Sequence, residues 1–341
     1  MKVSKWATCI LCVMTLGFFF FSSSVFGQAK EIKLNYSNFF PAPHKNSVLA
    51  AEWAQEIEKR TNGAVKITLF HGGTLTPADK CYDGVVNGLS DIGFSVLSYT
   101  RGRFPLTEVI DLPMGYKNGT AATKLVNAYY NKFKPKELDD VKVMYLHAHG
   151  PGIMHTNKKP IKTLDDLKGV KIRSTGTVAK IVGALGGTPV AMPMPETYDA
   201  LSKGIADGVM CPIEALEGWK LGEVLKYTTQ SYGSAYTIAF FVVMNKEKWN
   251  SLPPDVQKVI DKVNEEWIVK QAKVWDEIDV SGMEFTKKRG NEIIPLSKEE
   301  DAKWAKAVEP LFAEYVKNMK EKGLPGEEAY KFCREELMKL Q

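Results

Sequence analysis

The chain has 341 residues, 44% of them hydrophobic and 25% charged, with a formal net charge of +5. That length can bury a large core and usually divides into two domains. The small basic excess is spread along the chain, which excludes the dense cationic face of a nucleic-acid-binding protein.

Lys2 and Lys5 precede a largely apolar run from Trp6 to Phe21, and Ser22-Ser23-Ser24-Val25-Phe26-Gly27 supplies the small residues of an export cleavage site. Residues 1–27 therefore read as a signal peptide cleaved after Gly27, the apolar run being shorter than the ~20 residues of a membrane span. Cys9 and Cys12 lie within that run and lack the small-residue pattern that precedes a lipidated cysteine. Cys81, Cys211 and Cys333 follow; odd in number and far apart, they allow one disulfide and no disulfide framework.

Beyond the leader, strands and helices alternate. Glu31 to Tyr36 reads as a strand, His44 to Arg60 as an amphipathic helix, Ala64 to Phe70 as a strand, Ala78 to Asn87 as a helix and Ser90 to Val96 as a strand. Such alternation argues for parallel sheets covered by helices. Val141 to His147 and Gly152 to Asn157 read as strands parted by Gly150-Pro151-Gly152, a break that suits a crossover into a second α/β domain. Val170 and Ile172 then alternate with Lys171 and Arg173 as in a half-buried strand, and Thr175-Gly176-Thr177 offers N-cap chemistry for a helix from Val178 to Leu185. Thr237 to Asn245 is an apolar strand apt for burial on both faces. Pro253-Pro254-Asp255 opens a helix that can run to Lys288, Asn291 to Leu296 gives a last strand, and helices over Glu299 to Lys322 and Glu327 to Leu340 close the chain. The expected boundaries are 28–149 with about 244–290 for domain I and 150–243 with about 291–341 for domain II, the C-terminal helices packing across both. A two-domain clamp of this kind closes on a ligand by hinge motion.

Arg173 is the residue that speaks most directly to function. At the carboxyl end of a strand it would point into the crevice where open α/β sheets bind ligands, and its planar fork suits a carboxylate. A structural salt bridge is the competing account. Other chemistry is sparse: there is no Gly-x-Ser-x-Gly elbow, no His-Glu-x-x-His, no phosphate loop and no Cys-x-x-Cys after residue 27. Gly72-Gly73 and Gly186-Gly187 read as turns. His147 and His149 share one face of a strand, with His155 nearby, which suits either a two-histidine metal site or satisfied strand histidines. One of these three histidines, or His44 after the Phe39-Phe40-Pro41-Ala42-Pro43 loop, is a candidate donor to a ligand.

The ordered series Thr163-Leu164-Asp165-Asp166-Leu167-Lys168-Gly169, the Arg173 strand, Gly187-Thr188-Pro189-Val190-Ala191-Met192-Pro193, Glu196-Thr197-Tyr198-Asp199-Ala200-Leu201-Ser202-Lys203-Gly204 and Ile205-Ala206-Asp207-Gly208 closely resembles the solute-binding subunits of tripartite ATP-independent periplasmic (TRAP) transporters, the DctP-like family. The resemblance runs from about Ile32 to the C-terminal helices. It implies a two-lobed periplasmic binding protein fold of the α/β class, two α/β domains joined by hinge strands with long C-terminal helices. It also implies a role for Arg173 as the clamp on the carboxylate of an organic acid, no cofactor, and a sodium-coupled permease of one small and one large membrane subunit as partner.

Sugar-acid binders of that family carry a second arginine, an asparagine, an acidic residue and an aromatic where this chain has Ile153, Cys211, Val96 and Met194. These replacements run from polar to apolar, and an apolar site cannot satisfy the many donors and acceptors of a sugar. The expectation is a monomeric receptor for a small monocarboxylate with an apolar or aromatic body. Arg173 would take the acid group, and Phe39, Phe40, Met154, Met194, Tyr99, Trp219 and Tyr236 would meet the body. The alternatives are an exported enzyme with a His147/His149 metal or a histidine base in an interdomain cleft, and a sensor that presents its ligand to a signalling receptor.

Overall fold

The alternation of strand and helix resolves into two sheets in the computed structural model, which describes residues 31–341. The expected signal peptide lies outside the described residues. In chain order come β1 (Ile32–Asn38), α1 (Lys45–Arg60), β2 (Val65–Phe70), α2 (Cys81–Val86), β3 (Ile92–Val96), α3 (Gly119–Phe133), β4 (Val141–Ala148) and β5 (Gly152–Thr156). β6 (Lys171–Ser174), α4 (Thr177–Ala184), β7 (Thr188–Ala191), α5 (Thr197–Ser202), β8 (Gly208–Pro212), α6 (Ala215–Gly218), β9 (Tyr227–Gln230) and β10 (Ala239–Asn245) follow. The chain ends with α7 (Lys246–Asn250), α8 (Pro254–Lys288), β11 (Glu292–Pro295), α9 (Lys298–Val308), α10 (Pro310–Glu321) and α11 (Gly326–Leu340).

The first sheet has the order β2-β1-β3-β10-β4 and the second β11-β9-β5-β8-β6-β7. β1, β2 and β3 run parallel, whereas β10 is antiparallel to both β3 and β4. In the second sheet β6 runs parallel to β7 and β8, and β5 lies antiparallel between β8 and β9. The chain thus changes sheets between β4 and β5, between β9 and β10, and between α8 and β11.

Four expectations need correction. The domain boundary at 243/244 would cut β10, which begins at Ala239 and is hydrogen-bonded along its length to β3 and β4, so the whole strand belongs with the first sheet. The helix expected over Glu299–Lys322 is two helices, because Pro310 lacks the N–H that would continue the ladder and opens α10 instead. Thr175 and Thr177 do not cap α4: its N-cap is Gly176, at φ +51°, with no side-chain capping bond. A Cβ on Gly176 would lie 2.6 Å from Ser98 Cβ, so the position selects for absent bulk rather than for a hydroxyl. Finally, no disulfide forms among the described cysteines; Cys81, Cys211 and Cys333 are free and buried.

α8 ties the molecule together. Trp53 Nε1 on α1 donates to Asn264 Oδ1 at 3.0 Å, Trp267 Nε1 donates to the Leu49 carbonyl at 3.0 Å, and Gln271 Nε2 donates to Asn46 Oδ1 at 2.7 Å, all buried. Further along the same helix, Asp279 Oδ1 accepts from the Glu214 backbone N–H at 3.3 Å, next to α6. At 35 residues the helix reaches from the helices of the first sheet to the segment that follows β8. Of the closing helices, α9 packs near α4 and α11 against α3.

Candidate ligand-binding site

Parallel pairing in the second sheet sets Arg173 beside Val190 of β7 and Val209 of β8, near the carboxyl ends of β6 and β7. The residue is only 2% exposed. Its Nε and Nη2 both donate to the Met192 carbonyl, at 3.1 and 2.8 Å, and among the described residues it takes part in no ion pair. The salt-bridge account therefore fails. A buried guanidinium lacking a counter-anion is costly, and a charge-assisted bond to an arriving carboxylate would offset that cost.

Arg173 opens on a cavity of about 30 Å³ whose wall also holds Phe39, Phe40, Val96, Tyr99, Met194, Cys211, Trp219 and Tyr236. Nine of the sequence-expected residues thus converge from β3, β6 and β8 and from the segments that follow β1, β3, β7, α6 and β9. Met154 does not join them. It pairs with Met210 of β8 and Thr229 of β9 and packs in the apolar core, while its neighbour Ile153 lines a separate groove beside α8. Successive residues of a strand face opposite sides, and neither side of β5 at this point is the cavity.

Aromatic rings dominate the wall. Phe39 stacks on Trp219 at 5.8 Å between centroids and meets Tyr99 edge-on at 5.9 Å, and both Phe39 and Phe40 lie against Phe240. Tyr236 is pinned by its hydroxyl to the Met210 carbonyl at 2.8 Å, and its ring covers Gly152 so closely that a Cβ there would fall 2.3 Å from it. Three contacts join residues after β1 or β3 to residues that follow strands of the second sheet. Tyr99 accepts from the Met194 backbone N–H at 3.1 Å, His44 Nε2 meets Glu214 Oε2 at 3.1 Å, and Ser98 abuts Gly176.

Four lining residues escaped the sequence reading of the site, Pro212, Glu214, Ile238 and Phe240, while a fifth, His149, was read there only as a strand histidine that could hold a metal or donate to a ligand. Glu214 follows Cys211 by three positions, and that proximity is the one sequence signal that pointed toward it. Burial raises the Cys211 thiol, with Arg173 opposing the shift and Glu214 and Asp279 adding to it. Burial likewise holds the Asp279 carboxyl well above the usual range, with Glu214 adding to the effect. Two larger grooves, of about 970 and 700 Å³, flank α8, but their lysines are exposed and neither groove holds a buried cation.

Residues 38–318 match the model of the bacterial extracellular solute-binding protein family 7, DctP. The chain belongs to that family. As a family 7 protein it is 27% identical over 306 residues to the C4-dicarboxylate-binding periplasmic protein DctP of Rhodobacter capsulatus, covering 87% of this chain and 90% of the relative. It is similar in structure to a marine metagenome TRAP solute-binding protein described as specific for aromatic acid ligands, in complex with metahydroxyphenylacetate. The TM-score is 0.87 and the identity 32%, over 91% of this chain and 100% of that one. A TRAP solute-binding protein of Rhodoferax ferrireducens with copurified benzoate matches with a TM-score of 0.86 and 29% identity, over 91% and 98%.

Membership makes the chain a TRAP-type solute-binding protein of two-lobed α/β architecture, and its relatives are transport receptors rather than enzymes. The strand histidines bond within the protein through at least one ring nitrogen each. His147 Nδ1 accepts from Trp275 Nε1 at 2.9 Å, and His149 Nδ1 donates to the Gly150 carbonyl. His155 donates from Nε2 to the Cys211 carbonyl at 3.2 Å, so its Nδ1 accepts from Thr228 at 3.0 Å. Among the described residues no cluster of three metal-ligating side chains forms. His44, expected as a donor to ligand, has both ring nitrogens engaged, on Asn46 N–H and on Glu214.

Proposed function

We propose that this receptor captures a small monocarboxylic acid with an apolar or aromatic body between two lobes, each built on one sheet, and delivers it in the periplasm to a sodium-coupled permease of one small and one large membrane subunit. The observation that carries the ligand class is Arg173, a buried cation without an anionic partner, in a wall of Phe39, Phe40, Tyr99, Met194, Trp219 and Tyr236. Two structural neighbours hold aromatic carboxylates, which supports the same reading. A cavity of about 30 Å³ has room for about one water, whereas benzene occupies an engineered cavity of about 150 Å³. Admission of an aryl acid would therefore part the contacts at Tyr99, His44 and Ser98 and move the Phe39 and Trp219 rings. The chain acts in this scheme as a monomer.

The test is thermal unfolding of the purified protein with aryl, branched-chain, dicarboxylic and sugar acids, each paired with its neutral amide. A ligand at about 100 times its Kd adds roughly 2.7 kcal/mol, so an aryl or branched acid should raise Tm while its amide does not. Arg173→Met should abolish that response and leave the ligand-free protein within about 1 kcal/mol of wild type, because an unpaired buried charge is replaced by an apolar chain of similar length. Stabilisation by sugar acids or C4-dicarboxylates alone would overturn the ligand class, and an unchanged response of Arg173→Met would overturn the anchor.

A further inference from the structure

The cavity holds two acceptors that a carboxylate cannot satisfy. His149 lines it and is 2% exposed. Because its Nδ1 must donate to the Gly150 carbonyl, Nε2 is left as a bare lone pair, and among the described residues Nε2 has no hydrogen-bond partner. Burial pushes the ring down to about 4, so at neutral pH it stays in that tautomer rather than becoming a second donor. Glu214, 3% exposed, lines the same cavity. His44 Nδ1 accepts from the Asn46 N–H at 3.2 Å, which places the His44 proton on Nε2 and makes it a donor to Glu214 Oε2. No other hydrogen bond reaches the Glu214 carboxylate among the described residues.

The wall is therefore divided by chemistry as well as by sheet. Arg173 offers donors, while His149 and Glu214 offer only acceptance, and Cys211 lies within the fields of both Arg173 and Glu214. An acid with a purely hydrocarbon body would satisfy Arg173 and leave His149 Nε2 facing hydrocarbon. Leaving a buried polar group unpaired loses more free energy than an average hydrogen bond contributes, and it is how sites reject analogues that lack one hydroxyl.

We propose that the acid carried by this receptor bears, besides its carboxylate, an O–H or N–H donor on its apolar body, which His149 Nε2 and the Glu214 carboxylate receive. The proposal rests on the assignment of Arg173 as carboxylate anchor. It makes His149 and Glu214 the residues that select among aryl acids of nearly equal size.

Calorimetric titration of the wild-type protein with phenylacetate, its ring-hydroxy and ring-amino derivatives and mandelate tests it. At least one hydroxy or amino acid should bind tenfold or more tighter than phenylacetate, and the two sets distinguish an O–H from an N–H donor. His149→Phe should bring that ratio close to one. Should that variant fail to fold, Glu214→Gln, which keeps the shape but adds an amide N–H, should reduce the ratio in the same way. Phenylacetate binding as tightly as every derivative would overturn this proposal and leave the carboxylate reading standing. Silence from every acid would overturn both.

Discussion

His44 donates from Nε2 to Glu214 Oε2 at 3.1 Å across 170 positions of sequence, fastening the loop after β1 to the segment after β8. The same imidazole caps α1 by accepting the Asn46 N–H at 3.2 Å. One side chain thus starts a helix on the first sheet and holds a carboxylate that belongs with the second.

His44→Ala removes both functions and should destabilise the protein by about 2–3 kcal/mol, roughly 1 from the cap and the remainder from leaving Glu214 without a donor. His44→Asn can cap α1 but is too short to reach Glu214, and should recover about 1 kcal/mol. Urea denaturation of the three proteins measures the split. Two variants as stable as wild type would show that the bond contributes nothing.

Ser98 and Gly176 supply a steric counterpart to that bond. Gly176→Ala would set a methyl group 2.6 Å from Ser98 Cβ at a φ of +51°, a conformation that costs a non-glycine residue about 1 kcal/mol. The added methyl would hold the segment after β3 away from the start of α4, and acid affinity should fall tenfold or more. Ser98→Gly in the same chain should restore part of it, since the clash then has no partner. A double variant no better than Gly176→Ala would place the defect in the backbone alone.

Acid should weaken the fold through its buried histidines. Burial pushes His149 and His155 down to about 4 and drives His147 down as well, against about 6.5 in the unfolded chain. A base whose folded pKa is depressed adds stability that is complete above about 6.5 and is lost as the pH falls from there toward 4, at up to about 1.4 kcal/mol per pH unit for each ring. Asp111 and Asp279, raised by burial, act in the opposite sense, because the folded state takes their protons first. His155→Gln can keep the bonds to Thr228 and the Cys211 carbonyl, and should flatten the stability profile between pH 6 and 5 by about 1 kcal/mol per unit. Denaturant midpoints at pH 7.5, 6 and 5 read this directly, and an unchanged slope would mean that His155 is not neutral in the fold.

Arg173, the proposed anchor, stood out because its signal is local: Val170 and Ile172 alternate with Lys171 and Arg173, a glycine turn follows, and a helix begins within four residues. Phe39, Phe40, Tyr99, Met194 and Trp219 were reachable through the family pattern and the ends of predicted strands. Glu214 and Phe240 were not singled out, and His149 was noticed only as a strand histidine, since what brings them to the cavity wall is contact across the two sheets, and periodicity reports a strand without reporting its neighbours. The placement of β10 escaped for the same reason: its apolar run showed that it was buried, but not between which strands. Met154 illustrates the reverse error, an apolar strand residue near the right place whose alternation turns it into the core. The break at Pro310 was readable from proline chemistry alone.

The position of β10 bears on how the molecule comes into being. β3 ends at Val96 and β4 at Ala148, yet these strands become neighbours only through residues 239–245, which lie between them. A nascent chain shorter than that would present two unpaired strand edges, the kind of surface that invites pairing with other chains. Neither lobe corresponds to a contiguous stretch that could finish first, and pairings this distant in sequence form slowly. Assembly of the first sheet is thus postponed until most of the polypeptide exists, which favours a protein kept unfolded during synthesis and folded as one piece at its destination.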